Sequence, residues 1–467
     1  MRKEKHTLPS GKRAGRLLRT AALAAALLLL AAALLPPLFR ETGTEPVSPD
    51  WYGGERVACV DSNAEAILWR LRLIRSAQEK LILSTFDLRP DETGLDILAA
   101  LQEAADRGVR IQILADGICS TMYLQGDAHF QALCAMPNVE AKSYNPVNLV
   151  KPWKLNYRMH DKYLIADDHV YLLGGRNTYD LFLREDLDHY NIDRDVVVYA
   201  PEPENGGSTG ALNAYFDEIW SLTESKAIPP RQTERVEEAR EALRLRSASL
   251  EQRYPGAAEA FDWDAETYPA ERVALLTNPT HPGNKQPQLW NQLCFLMAQG
   301  RDIRIQTPYI ICGKAMYRDL EEVLSRVQSL QIMTNAPETG ANPFGCADFL
   351  NQKSRLLGMG AETLEWLGGQ SLHTKTLLID DRLSVVGSFN LDMRSAYLDT
   401  ELMVAVDCPQ LNAKLRQGFD AMAAESRIST SQGERLGEQC PQVSMPLGKA
   451  LLYTVLRVLL LPMRHLL

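Results

Sequence analysis

The sequence predicts an α/β chain made of two pseudo-symmetric halves, each an α/β/α sandwich, with the functional site at their interface. Three observations lead there. A length of 467 residues exceeds what one compact core accommodates. A short motif occurs twice, His160-x-Lys162-(x)4-Asp167 and His373-x-Lys375-(x)4-Asp380, and each copy runs on into a small-residue turn, Gly174-Gly175-Arg176-Asn177 or Gly387-Ser388-Phe389-Asn390. The histidines, lysines and asparagines are each 213 residues apart (373 − 160, 375 − 162, 390 − 177), so the spacing is that of a repeat. Finally, helix-period and strand-like segments alternate ahead of both motifs, as in a largely parallel sheet covered by helices.

Each element has its own reason. Residues 65–76 have amphipathic helical spacing, and 81–86 read as a buried strand. Residues 95–107 form a second helix ended by Gly108, and 109–114 a second strand. The second half repeats this with helices at 289–298 and 316–327 and strands at 303–307 and 330–334. Each half closes on a pair of motif strands, 162–166 with 170–173 and 375–379 with 383–386. The halves are placed at 55–225 and 266–430. Between them, 226–265 is a bridging segment whose stretch 231–253 is charged, helical in period and poor in large apolar residues.

Every residue from Ala21 to Leu35 is Ala or Leu, and 21–39 approaches the roughly 20 residues of a membrane span. A cleaved signal peptide shares the basic start and apolar core, but the long apolar part and the lack of a small-x-small site favour an uncleaved anchor. Seven basic residues against Glu4 alone give the tail 1–20 a charge of +6, which puts the N-terminus in the cytoplasm and the body outside the cell membrane. The remainder carries −15 of the net −9, a poor surface for gripping phosphate backbones, so no nucleic-acid partner is expected. At the other end, 445–467 is apolar but interrupted, with Lys449, Arg457 and Arg464 within about an 80° arc of a helix. That pattern fits a segment lying in the lipid headgroup layer, or else a terminal helix docked on the core. Eight cysteines show no C-x-x-C pair or zinc spacing and read as isolated buried thiols, with disulfides left open.

The motif residues fit attack on a phosphate diester. A neutral imidazole is a good nucleophile near neutral pH and leaves well afterwards, so one histidine can carry the phosphoryl group. The other can protonate the departing alcohol and deprotonate the incoming one. Lys162 and Lys375 supply fixed positive charge, and Asn177 and Asn390 supply donors to the phosphate. Gly174, Gly175, Gly387 and Ser388 are small enough for a close approach, with Gly175 and Ser388 the phosphate-binding candidates. Histidine and lysine, two apart on a strand, face the same side. Asp167 and Asp380, at the strand ends, are expected to be structural. Each imidazole needs an acid to fix its tautomer, and Asp195 and Glu401, each leading into an apolar strand, are the candidates, or else plain strand-capping acids. The chemistry requires no metal and no cofactor.

Other residues keep two readings. Trp153, Lys154, Tyr157 and Arg158 either hold headgroups at the pocket mouth or form a packed loop. Phe86-Asp87 and Pro308-Tyr309 either line the cleft or belong to the core. Arg176 and Arg394 either add charge at the phosphate or are structural.

The twin motif resembles the phospholipase D superfamily over residues 57–430. Ala104-Ala105-Asp106-Arg107-Gly108-Val109-Arg110, Arg158-Met159-His160, Thr307-Pro308-Tyr309 and the run from Gly387 to Ser395 are similar to bacterial cardiolipin synthases. Gly-Gly-Arg-Asn paired with Gly-Ser-Phe-Asn is most similar to the cardiolipin synthase C group. The resemblance implies transfer of a phosphatidyl group between membrane phospholipids, with a phosphatidylglycerol-type acceptor, His160 as nucleophile and His373 as acid/base. The basic N-terminal anchor and the apolar C-terminal tail lie outside that group's core pattern. Three alternatives stand beside it: a hydrolytic phospholipase D, a nuclease of the same superfamily, disfavoured by the acidic body, and a non-catalytic lipid-binding scaffold, disfavoured by two intact motifs.

Overall fold

The structure, a computed structural model, describes residues 11–38, 47–202 and 206–467. The first half contributes β1 (Arg56–Val60), β2 (Lys80–Thr85), β3 (Arg110–Asp116), β4 (Val139–Tyr144), β5 (Lys162–Ala166), β6 (Val170–Gly174), β7 (Asn191–Ile192), β8 (Asp195–Tyr199), β9 (Ser225–Ala227) and β10 (Tyr268–Pro269). The second contributes β11 (Arg272–Thr277), β12 (Asp302–Gln306), β13 (Ile310–Ile311), β14 (Ser329–Asn335), β15 (Glu362–Trp366), β16 (Ser371–Leu372), β17 (Thr376–Ile379), β18 (Leu383–Gly387), β19 (Leu391–Asp392), β20 (Leu402–Asp407), β21 (Ser426–Thr430) and β22 (Gly433–Leu436). Two nine-stranded sheets result, ordered β10-β1-β8-β6-β5-β2-β3-β4-β9 and β11-β20-β18-β17-β12-β14-β15-β21-β22.

The expectation of a largely parallel sheet needs correction. Parallel pairing is confined to β2, β3 and β4 and to β12, β14 and β15; the other neighbours in both sheets are antiparallel. Helical crossovers join only the parallel strands, whereas the motif strands are linked by tight turns that only antiparallel partners can use. Asp167 and Asp380 make those turns, both at φ +52°. The Asp167 carboxylate accepts the backbone N–H groups of Gln78, Glu79 and Lys80 at 2.6–2.8 Å, and Asp380 accepts those of Arg301 and Asp302 at 2.9 Å.

Helix starts are capped locally. Ser62 accepts from Glu65 N ahead of Asn63–Ser76, and Asp91 accepts from Gly94 N ahead of Glu92–Asp106. These helices cover one face of the first sheet, while Gln288–Met297, Lys314–Leu324 and Pro343–Gly358 cover the second. The opposite faces meet each other. On β6, Leu172 points into the first half's own core and Tyr171 and Leu173 into a shared core. On β20, Met403 and Ala405 point to the second half's helices and Val404 and Val406 to the same shared core. Helices Gly207–Ser221 and Pro409–Ala424 complete that layer. Each fully buried Val or Leu is worth about 1.5–3 kcal/mol, against about 1 kcal/mol for a neutral hydrogen bond. Packing therefore docks the halves, and hydrogen bonds are left to set register.

The bridging helix, Glu234–Ala248, is part of the first half's core through Val236, Ala239 and Leu243, and Arg246 pairs with buried Asp96 at 2.7 Å. The first sheet closes with β10 and the second extends to β22, so both halves run past the boundaries expected from sequence. Residues 1–10 of the basic tail and residue 39 of the expected anchor lie outside the described residues. The rest of that anchor falls in the helix Gly11–Leu34 and the turn Pro36–Leu38. Among the described residues no helix is long and apolar enough to cross a membrane. All eight cysteines are unpaired, seven of them buried.

Candidate active site

Both motif histidines sit just ahead of a sheet strand and are clasped by the opposite half. His160 N donates to Thr400 O (3.3 Å) and His373 N to Ile192 O (2.8 Å), while β16 runs parallel to β7. The side chains repeat the crossing. His160 Nδ1 lies 2.9 Å from Glu401 Oε1, and His373 Nδ1 lies 2.5 Å from Asp193 Oδ2. Neither Nε2 has a hydrogen-bond partner among the described residues. Phe86 packs edge-on to the His160 ring at 5.1 Å, and Phe182 to the His373 ring at 4.9 Å.

Of the two expected acids, Glu401 is on a histidine and Asp195 is not. Asp195 is buried in a structural network with Arg70 at 2.9 Å and Arg176 at 3.1 Å. Ladder register explains the difference. Gly174 pairs with Asp195 and Gly387 with Met403, so Asp195 corresponds to Met403 and it is Asp193 that corresponds to Glu401. The small residues serve these acids. A Cβ on Gly174 would meet Asp195 Oδ1 at 2.0 Å, and one on Gly175 would meet Asp193 Oδ1 at 2.3 Å. Gly175 N is already spent on Arg194 O (3.1 Å). At the position matching Gly175, the Ser388 hydroxyl donates to Glu401. The expectation that Gly175 and Ser388 bind phosphate is therefore corrected: they make room for, or bond, the acids behind the histidines.

Lys162 and Lys375 are buried, with Lys162 Nζ on His160 O at 2.5 Å and Lys375 Nζ 3.4 Å from Asp193 Oδ2. Asn177 and Asn390 are buried, and the Oδ1 atom of each has no partner. Asn390 Nδ2 donates to the Tyr309 hydroxyl at 3.1 Å, while the Asn177 amide has no partner among the described residues. Arg176 bonds the backbone of Val60 and Asp61, and Arg394 bonds Asp399, so both are structural. Of the loop ahead of the first motif, Lys154 pairs with Glu224 and the Tyr157 hydroxyl donates to Asn284 Oδ1. Arg158 reaches Asn145 O, and Trp153 alone of the four is exposed.

Burial dominates the electrostatics, but it acts differently on the two pairs. Burial, reinforced by Lys162, holds His160 well below its usual range, and burial with Lys375 brings His373 to about 4. Burial would raise Asp193, yet Lys375 and His373 outweigh it and keep its carboxyl below the usual range. Glu401 is pushed up to about 8 by burial, which Lys162, Ser388 and Ser395 only partly offset. Burial also brings Lys162 down to about 7. One imidazole thus faces an ionised carboxylate and the other a carboxyl that keeps its proton at neutral pH.

Two further side chains were not singled out from sequence. Asp161, buried and pushed up to about 7 by burial, accepts from Thr400 Oγ1 (2.6 Å) and Tyr215 OH (3.0 Å). Arg194 reaches across to Gln306 Oε1 and Thr376 Oγ1, both at 2.9 Å. The acid of Asp193 could have been found by counting the ladder back from the glycine pair. Nothing in the linear sequence marks Asp161, whose role depends on a residue 239 positions away.

Two α/β halves that exchange acids across paired His–Lys–Asn sets define an enzyme of the phospholipase D superfamily. The chain belongs to the family described as "Cardiolipin synthase, PLD-like domain", which matches residues 71–220 and 294–423. It is 25% identical over 395 residues to cardiolipin synthase C of Escherichia coli K12, covering 77% of this chain and 83% of that one. Cardiolipin synthase B of the same organism is 24% identical over 377 residues, covering 80% and 82%. An uncharacterised protein of Helicobacter pylori 26695 is 26% identical over 416 residues, 79% of either chain. The crystal structure of phosphatidylserine synthase from Haemophilus influenzae Rd KW20 shares the fold, with a TM-score of 0.61 over 88% of this chain and 95% of that one at 17% identity.

Two predictions follow from the geometry. Asp193→Asn should lower kcat by about 10²–10⁴-fold with the thermal midpoint nearly unchanged, the range ascribed to general acid–base catalysis. Asp195→Asn should instead cost about 3–5 kcal/mol of stability by leaving two buried guanidinium groups short of a partner. Denaturant unfolding beside steady-state kinetics separates the two, and equal behaviour of the variants would contradict the register. Second, kcat/KM should fall as pH rises through about 7, because Lys162 is cationic below that value and neutral above it. A bound anionic diester raises the lysine's affinity for its proton, so the same limb in kcat should lie at higher pH. Coincident limbs in the two profiles would sink the assignment.

Proposed function

We propose that this protein is a phosphatidyltransferase of cardiolipin-synthase type that works through a phosphohistidine. The observation that carries the reading is the crossed pair: each imidazole is held at Nδ1 by an acid of the other half, leaving its Nε2 without a protein partner among the described residues. An ionised carboxylate stabilises an imidazolium, so His373, backed by Asp193, suits the acid/base role. His160, whose partner Glu401 keeps its proton, suits that of the neutral nucleophile. Asp193 and the bound diester anion together favour the imidazolium of His373. His160 Nε2 then forms a bond to phosphorus, the P–O bond to the departing alcohol breaks, and the Nε2 proton of His373 passes to that oxygen. The acceptor hydroxyl then gives its proton to His373, its oxygen bonds phosphorus and the P–N bond breaks. Lys162, Lys375, Asn177 and Asn390 hold the phosphate oxygens.

The family relationship and the apolar exposed segments favour a lipid hydroxyl as acceptor, with phosphatidylglycerol the proposed type; water in its place gives the hydrolytic reading. The −15 body argues against nucleic acid. The deciding experiment is mass spectrometry of lipids from a cardiolipin-free bacterial host expressing the chain. Cardiolipin is expected with the intact protein and is expected to vanish in His160→Ala and His373→Ala. With labelled donor lipid, His373→Ala should still collect label on protein and His160→Ala should not. Phosphatidic acid without cardiolipin would establish the hydrolase, and unchanged lipids would defeat both readings.

The apolar run from Ala21 to Leu35, with Leu28 71% exposed, supports attachment of the N-terminal helix to the cell membrane. The +6 tail supports a cytoplasmic N-terminus and an extracytoplasmic body, an orientation that requires the apolar run to span together with flanking residues outside the described ones. A reporter inserted at residues 47–50 should read as extracytoplasmic; a cytoplasmic signal would reverse the orientation.

A further inference from the structure

The helix Leu447–Leu459 is amphipathic in the wrong sense for a helix covering a water-soluble protein. Tyr453 and Leu460 are buried against Pro343–Gly358, and the basic side chains bond the protein on that side, Lys449 and Arg464 half-buried and Arg457 exposed. Lys449 Nζ donates to Glu338 O (2.9 Å) and Gly340 O (3.1 Å), Arg457 Nε donates to Asn351 Oδ1 (2.8 Å), and Arg464 pairs with buried Asp348 at 2.7 Å. The face left outward is apolar, with Leu447 90% exposed and Leu451 and Val458 each 67%. A surface helix ordinarily puts its leucines inward and its cations in water. Single exposed leucines need no explanation, but a face of them does.

That face does not stand alone. The turn Leu461–Leu466 packs against Pro36–Leu38 at the end of the Ala/Leu helix, and His465 Nε2 lies 3.0 Å from Leu34 O. At the same helix end, Asn156 Nδ2 donates to Ala33 O (2.6 Å), and the helix packs on the turn Pro152–Lys154. The loop leading into that turn exposes Leu149 (75%) and Val150 (82%). Two outward apolar segments, far apart in sequence, therefore converge on the end of a third, the Ala/Leu helix. That helix continues into the run from Ala21 to Leu35, which has no polar side chain.

We infer that these segments form an apolar collar that seats the two catalytic halves on a phospholipid bilayer, with the C-terminal helix lying flat in the interface, apolar face to lipid and basic face to protein. The collar deepens the proposed function and rests on its lipid substrate. Continuity with the Ala/Leu helix selects lipid as the occupant, since one apolar phase then covers all three segments. The collar is also bonded to the site. Arg394 donates to Leu466 O (3.1 Å), Asn156 O (2.8 Å) and Asp399, and Asp399 accepts from Arg158 N (3.1 Å), two residues before His160. Seating thus fixes the orientation of the first motif relative to the lipid surface.

The test uses the full chain in vesicles of phosphatidylglycerol and phosphatidylethanolamine that contain a nitroxide-bearing lipid. In a Cys440→Ser background, a thiol-linked fluorophore is placed by Leu149→Cys, by Val455→Cys or, on the bridging helix, by Glu241→Cys. Quenching at 149 and 455 is expected to exceed that at 241 several-fold; equal or absent quenching would overturn the collar. A dimer that shields 149 and 455 without lipid would assign the face to a second copy and likewise overturn it. The combined variant Leu451→Glu, Val455→Glu, Val458→Glu should lose at least tenfold in turnover of vesicle lipid and keep turnover of a short-chain, monomerically dissolved phosphatidylglycerol. Loss on both substrates, or on neither, would contradict seating. If the unaltered chain turns over no phospholipid, the proposed function fails, and the quenching pattern still decides the collar.

Discussion

The exchange of acids between the halves is the interaction on which the rest of the structure depends. Glu401 is carried into β20 of the second half but serves His160 of the first; Asp193 precedes β8 of the first half but serves His373 of the second. Neither half holds a complete histidine–acid pair, so the seam must be built to the tolerance of a hydrogen bond. The shared core of alternating β6, β8, β18 and β20 side chains supplies the cohesion, and the backbone bonds from His160 N and His373 N supply the register. The glycines follow from the same demand. At Gly174 and Gly175 a carboxylate already occupies the space a side chain would need, which is a tighter constraint than left-handed backbone geometry.

That constraint also separates what the linear sequence reveals from what it hides. The motif histidines, lysines and asparagines are legible because the chemistry admits few substitutes at a fixed spacing, and the helix–strand order is legible because each segment has its own period. The acids are legible only as types. Asp193-Arg194-Asp195 and Asp399-Thr400-Glu401 offer two carboxylates each, two residues apart and so on one face of a strand. Matching them by chemistry aligns Asp195 with Glu401, whereas the ladder aligns Asp193 with Glu401. Sheet direction was misread for a similar reason: alternating helices and strands imply parallel neighbours, but the strands that carry the site are joined by the Asp167 and Asp380 turns, which impose antiparallel ones. Arg176 and Arg394 show the limit plainly, since a guanidinium beside a motif reads equally as a phosphate ligand or a structural residue until its buried partners are known.

Near-symmetric geometry does not make the halves equivalent. Lys375 approaches Asp193 and the backbone N–H of Arg194 donates to it, all of which favour an ionised carboxylate. Around Glu401 the donors are the neutral hydroxyls of Ser388 and Ser395, and Lys162, whose Nζ bonds His160 O, offsets burial only in part. A duplicated scaffold can in this way set one imidazole against an ionised carboxylate and the other against a protonated carboxyl, without moving either ring. The difference resides in the groups around the acids: Lys375 reaches Asp193 whereas Lys162 bonds His160 O, and Gly175 is matched by Ser388.

The outward apolar helix extends the argument from chemistry to placement. Periodicity alone puts Lys449, Arg457 and Arg464 on one arc, but it leaves open whether that arc faces water or protein. The docked helix answers with all three cations bonded to the protein, at Glu338 O, Gly340 O, Asn351 and Asp348. A cation partly withdrawn from water is costly unless its donors are met; half-buried Lys449 and Arg464 each have a partner, and exposed Arg457 keeps its contact with water as well. What remains outside is a surface that water does not stabilise, contiguous with an Ala/Leu helix and bonded through Arg394 and Asp399 to the strand that carries His160. The crossed pairs fix where phosphorus must sit relative to both halves, and the collar fixes where both halves sit relative to lipid. A diester drawn from a bilayer has to satisfy both constraints at once.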